Sequence, residues 1–184
     1  MGPLTAAKER GIPVLGEMEL ACRLVDTPMA AVTGTNGKST VTALVGAMLK
    51  GDGLKVFVGG NIGTPLIDYA ASEEKADYAV VEVSSFQLDT MSSLHPRVAV
   101  LLNISPDHLD RYTSYDAYVR SKLSIFKNQA AGDWAVLNDD DPALAGFMPP
   151  QGVVVLRYGA GRGKNRQAFL EGKKIRACLP GEAM

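Results

Sequence analysis

Short apolar runs alternate along the chain with longer stretches in which apolar residues recur at helical spacing. The runs over 28–33 (PMAAVT), 55–58, 78–83 (YAVVEV), 97–104 (RVAVLLNI), 134–138 and 153–157 are predicted strands. Helices are predicted over 38–50, closed by Gly51, over 65–71 and over 114–127. The strands carry Ala, Val and Leu with little polar alternation, which predicts burial on both faces of a parallel sheet. Strands alternating with helices predict an α/β fold with a mostly parallel sheet flanked by helices. The tail RQAFLEGKKIRACL differs: two short runs around Glu171-Gly172 predict a β-hairpin. GAGRGKNR (159–166) reads as a mobile loop.

Polar residues cluster where each predicted strand ends. TGTNGKST follows the first, GGNIG the second and EVSSFQ the third; NISPDHLDR and NDDD follow the next two. In open parallel sheets the ligand crevice lies outside the carboxyl ends of the strands, so these clusters are expected to converge on one site.

Bulk properties narrow the setting. With 184 residues, 46% hydrophobic and 21% charged, the chain suits one buried globular domain. A net charge of −1 gives no reason to expect nucleic acid or an anionic membrane as partner. Cys22 and Cys178 form no CxxC pair, and no apolar run reaches the roughly 20 residues of a spanning helix. No basic, apolar secretion signal opens the sequence, so a cytoplasmic protein without membrane insertion, most simply a monomer, is expected.

The candidate chemistry begins at residues 33–40. Gly34 and Gly37 allow a tight turn and close backbone approach to a ligand, and the following helix start carries roughly half a positive charge. Lys38 supplies a full charge for terminal phosphates, and Ser39 or Thr40 a hydroxyl for Mg²⁺. Val32 stands where the usual GxxxxGK[ST] loop needs glycine, so this is a shorter GxxGK[ST] variant. Glu82 interrupts an apolar strand, where a carboxylate calls for a cation or a metal. His108, beside Asp107 and Asp110, is a candidate metal or phosphate contact, whereas His95 before Pro96 reads as structural. Lys122 falls in the middle of the stripe Tyr115, Tyr118, Val119, Phe126 on a helical wheel. It either snorkels to water or is a buried amine of lowered pKa able to react with CO₂.

Taken in order, AVTGTNGKST, GGNIGTPL, VVEVSSFQL, LNISPDHLDRY and YVRSKLSIFKN resemble the ATP-dependent Mur ligases of peptidoglycan synthesis. The resemblance covers about residues 11–157, and SSFQL (84–88) points to the D-glutamate-adding branch. It implies UDP-N-acetylmuramoyl-L-alanine and D-glutamate as substrates, ATP becoming ADP, and an acyl phosphate as intermediate. It assigns ATP binding to Gly34, Thr35, Asn36, Gly37, Lys38, Ser39 and Thr40, and one Mg²⁺ to Ser39 and Glu82. His108 and a carbamylated Lys122 match the positions serving a second metal, with Lys38, His108 and Lys122 in catalytic roles. Asn61, Ser84 and Gln87 match positions near the muramoyl-alanine end. The resemblance further implies that 1–27 end a UDP-binding domain and linker, and that 28–184 form an incomplete ATP-binding central domain. A C-terminal ligase domain is then missing, and a fragment inactive by itself is expected. The competing readings are another amide ligase of this superfamily, folylpolyglutamate synthetase among them, and a nucleotide-binding module without catalysis. A generic P-loop NTPase is disfavoured by the short loop and by Glu82 at the end of its strand.

Overall fold

A computed structural model describes residues 2–107, 110–163 and 166–178. The elements are α1 (Pro3–Glu9), α2 (Glu17–Leu24), β1 (Met29–Thr33), α3 (Lys38–Gly51), β2 (Val56–Gly60), α4 (Leu66–Ala71), β3 (Tyr78–Glu82) and α5 (Ser85–Leu88). They continue with β4 (Val98–Leu101), α6 (Tyr115–Leu123), β5 (Trp134–Asn138), β6 (Val154–Gly159), β7 (Ala168–Glu171) and β8 (Lys174–Ala177). One sheet of order β2-β3-β1-β4-β5-β6-β7-β8 contains all the strands. Every neighbouring pair is parallel except the terminal hairpin β7–β8. The expected α/β class, parallel sheet and hairpin are all present.

The chain runs from β1 to β2 and β3 on one side, then resumes at β4 on the other side of β1. The β1/β4 boundary is therefore the topological switch point, where ligand crevices open. Register divides the side chains between two faces. Ala31, Val81, Ala99, Leu101, Ala135 and Leu137 point to a closed core that includes Tyr118, Ile125 and Phe126. Met18 and Ala21 of α2 join the same core, and α2 packs on α4. On the other face α3 lies over β1, β2 and β3. It approaches so closely that a Cβ at Gly46 would sit 2.3 Å from Val58.

Burial on both faces holds for β1, which is buried throughout, and for β3 beyond Tyr78. It is corrected for β4 and β5, where buried and half-buried positions alternate. Val98, Val100, Trp134 and Val136 lie on the α3 face, beyond the strands that α3 covers, which leaves them half-exposed. The helix expected over 114–127 tightens to a 3₁₀ turn at Ser124–Phe126. There the Ser124 hydroxyl donates to Ser121 O at 2.7 Å, a local bond that competes with the helical ladder. In the expected loop at 159–166, Gly159 ends β6 and Arg166 pairs with Asp139 and Asp140, while 164–165 lie outside the described residues. Among the described residues no helix is long and apolar enough to cross a membrane.

Candidate active site

The loop between β1 and α3 turns at Gly37, whose φ of 83° lies in the left-handed region that favours glycine, and α3 starts at the next residue. At Gly34 a Cβ would meet Leu102 Cβ at 3.0 Å, so the loop lies tight against the end of β4. The first N–H groups of α3 have no partners within the helix, which leaves an anion-binding helix start. The Lys38 ammonium donates to Thr35 O at 2.9 Å, folding over the same loop.

Glu82, at the end of β3, is 2% exposed. Ser39 donates its hydroxyl to one carboxylate oxygen at 2.6 Å, and the Asn61 amide donates to the other at 2.9 Å. The Asn61 backbone N–H also donates to Glu82 O, joining the ends of β2 and β3. Among the described residues no ion pair neutralises this buried carboxylate. A buried anion with an adjacent hydroxyl oxygen is a donor set suited to a hard cation such as Mg²⁺. The described residues contain no cluster of three or more His, Cys, Asp or Glu that could hold a metal without further ligands. Phosphate oxygens and water commonly complete such a shell.

Lys122 is also 2% exposed, so its amine is buried and does not snorkel to water. Its ammonium donates to Gly34 O at 2.7 Å and sits 4.8 Å from the centre of the Tyr118 ring. Burial first, and the charge of Lys38 second, push its pKa from 10.5 down to about 8, while Asp107 opposes the shift. Glu82 and Lys122 thus both touch the loop of residues 34–39, one through Ser39 and the other through Gly34. His108 lies outside the described residues.

Other expected site residues have occupations of their own. Thr35 turns its hydroxyl to Tyr118 at 3.1 Å and to the Ser105 backbone, and its N–H donates to Asn103 O at 2.9 Å, so its polar groups shape the loop itself. Ser84 and Gln87 close a capping box on α5, with Ser84 N–H and Oγ both donating to Gln87 Oε1. Ser121 donates to Ser85 O, and Tyr112 bridges Asp89 and Ser121, so α6 fixes α5 beside the site. In the NDDD cluster, Asp139 pairs with Arg157 and Arg166, Asp140 with Arg166, and Asp141 accepts from the N–H groups of Ile104 and Ala143. Asp139 and Asp140 thus serve the β5–β6 edge, and Asp141 ties the turn after β5 to the segment just past β4, instead of joining the loop at 34–39. His95 binds the buried Asp133 at 2.7 Å, at the amino ends of the strands, consistent with its structural reading. A cavity of about 740 Å³ lined by Lys50, Phe57, Tyr69 and Lys75 lies beside α4, away from these groups.

Sequence reasoning missed Asn103 and Tyr118 as partners of the loop. Asn103 follows β4 by two residues, a signal available from the strand-end pattern itself.

The family profile described as Mur ligase middle domain matches residues 32–182. The UDP-N-acetylmuramoylalanine–D-glutamate ligase of Desulfosudis oleivorans is 64% identical over 167 residues, covering 91% of this chain and 36% of that protein. The ligase of the same name from Syntrophus aciditrophicus is 46% identical, covering 97% of this chain and 39% of its own length. The crystal structure of a MurF ligase from Thermotoga maritima in complex with ADP superposes with a TM-score of 0.67 at 25% identity, over 84% of this chain and 38% of that one. The chain therefore spans little more than a third of the length of these relatives.

Proposed function

This chain belongs to the Mur ligase family, and from that premise we propose that it is the ATP-handling part of a ligase that joins D-glutamate to UDP-N-acetylmuramoyl-L-alanine. The observation that carries the chemistry is the meeting of Ser39, Glu82, Lys38 and Lys122 around one glycine-rich loop. The 64% identity to a D-glutamate ligase supports the choice of amino acid, and the ADP-bound relative supports the nucleotide.

In the proposed reaction the substrate carboxylate attacks the γ-phosphorus of ATP, forming an acyl phosphate and releasing ADP. The D-glutamate amine then attacks the acyl carbon, and phosphate leaves. Two anions must approach in the first step, so their repulsion sets much of the barrier. The start of α3 and the Lys38 ammonium offset that charge at fixed positions. Ser39 and Glu82 would hold Mg²⁺, which when bound supplies further positive charge at the phosphate oxygens. Asn61 orients the Glu82 carboxylate from the opposite side.

For Lys122 the proposed role is an anionic ligand for a second metal. With its pKa near 8, part of the amine is neutral at neutral pH. Attack of that nitrogen on CO₂ forms an N–C bond and releases one proton to water, leaving a carbamate. His108 is the matching partner in this reading. Asn36, Gly37 and Thr40 complete the proposed nucleotide contacts, with Thr35 shaping the loop that makes them, and Asn61, Ser84 and Gln87 the proposed muramoyl-alanine contacts.

The test is ADP release by a full-length ligase carrying this segment, supplied with UDP-N-acetylmuramoyl-L-alanine and single amino acids. Release with D-glutamate alone is expected; release with another amino acid overturns the assignment.

A further inference from the structure

Asn103 makes a set of contacts that none of the assignments above uses. It stands just past β4, across the topological switch point from the loop that follows β1. Its side-chain Oδ1 accepts the Asn36 N–H at 2.8 Å, and its Nδ2 donates to Asn36 O at 3.0 Å. Its backbone O accepts the Thr35 N–H at 2.9 Å, directly after Leu102 N–H donates to Thr33 O. The β1–β4 ladder therefore continues past the last paired strand residues, with the Asn103 amide acting as an extra peptide group. Of the standard short side chains only asparagine carries both donor and acceptor in this planar arrangement. Aspartate lacks the donor and would add negative charge beside a phosphate site.

We propose that Asn103 is a positioning residue for the nucleotide loop, clasping the Asn36 peptide so that the helix-start N–H groups beyond it are set before the nucleotide arrives. The inference rests on the nucleotide reading above and deepens it. The loop is flanked by Gly34 and Gly37, which have the widest backbone freedom of any residue, so without a clasp its ordering would be charged against binding. Fixing a ligand-binding loop beforehand raises affinity by removing that cost. Thr35 assists from the other side through Tyr118 and Ser105.

Calorimetric titration of the chain with MgADP tests this, on the unaltered chain and on Asn103→Ala. Asn128→Ala serves as a control, removing a side-chain amide that bonds Ser92 O and Leu94 O instead. The Asn103 variant is expected to bind MgADP about tenfold more weakly, and the control to bind like the unaltered chain. Amide exchange supplies a readout that a loss of general stability would not reproduce. Thr35 and Asn36 N–H should be protected before nucleotide is added, and in Asn103→Ala the Asn36 N–H, which loses its side-chain acceptor, should exchange faster while the β1 and β3 amides keep their rates. No MgADP binding by the unaltered chain sinks the nucleotide reading and the clasp with it. Binding unchanged by Asn103→Ala overturns the clasp alone. Should that variant fail to fold, free exchange at Asn36 in the unaltered chain still overturns it.

Discussion

Ser39 donates its hydroxyl proton to Glu82 across 2.6 Å, joining the first turn of α3 to the carboxyl end of β3. The residues are 43 apart in sequence, and the register of β1 beside β3 brings them together. A helix start that favours anions thus sits against a buried acid that calls for a cation. Such a pairing suits a ligand carrying both, a metal-bound phosphate chain.

Removing the acid should separate the two requirements. For Glu82→Gln, MgADP affinity is expected to fall by about tenfold or more, and ADP in excess EDTA to bind as it does to the unaltered chain. Titrations with and without the metal check this. An unchanged gain from Mg²⁺ would show that the ion is held elsewhere.

Lys122 gives the sharpest functional test. In a full-length ligase carrying this segment, Lys122→Ala is expected to lower turnover by about a hundredfold or more, with the far-ultraviolet spectrum retained. Short carboxylic acids such as acetate should restore part of the rate by replacing the carbamate. Failure of every such acid would count against a carbamate, as would the absence of a carbamate carbon signal after equilibration with ¹³C-bicarbonate.

Glu19 sets an acid-range prediction for stability. Its carboxylate is 1% exposed and accepts the N–H and hydroxyl groups of both Ser92 and Ser93, with Arg23 alongside. Burial alone would raise its pKa, but the four serine bonds together hold it well below the usual 4.5. A depressed carboxylate contributes stability that is complete above the unfolded-state pKa and is lost as pH falls below it, toward the folded value. Denaturant unfolding of Glu19→Gln should therefore show a loss of about 2–4 kcal/mol at pH 7, shrinking below about pH 4. A loss independent of pH would mean that packing, not the charged bonds, accounts for it.

The central strands set the stability of the sheet. Leu101 is fully buried between the ends of β1 and β5. Leu101→Ala is expected to cost about 2–5 kcal/mol by equilibrium unfolding, and Leu101→Met under about 1.5 kcal/mol.

The sequence made the strands and the loop legible because both signals are local. Apolar runs mark β1, β3, β4 and β5, and Gly34, Gly37 and Lys38 lie within a few residues of one another. What stayed hidden depends on distance along the chain. The serines that hold Glu19 lie 73 and 74 residues away, so a charge on α2 gave no sign that it would be buried. Asp139 and Asp140 looked like site residues at a strand end, and their neutralisation by Arg157 and Arg166 depends on the return of β6. The α5 helix was readable in principle, since Ser84 and Gln87 have capping-box spacing, but at four residues it shows no period. Lys122 was legible to the point of two alternatives, and only the packing of α6 decided between them.

The central claim is that the loop at 34–39, Glu82 and Lys122 surround one metal–nucleotide site. Nuclear magnetic resonance of the chain with ADP and Mn²⁺ in place of Mg²⁺ tests it directly, because the paramagnetic ion broadens only nearby amides. Signals of Gly34 to Thr40, Asn61, Glu82 and Lys122 are expected to broaden together, while those of Ser92 and Asp133 stay sharp. Broadening at 34–40 without Glu82 and Lys122, or at the Asp133 end of the sheet instead, would contradict the account.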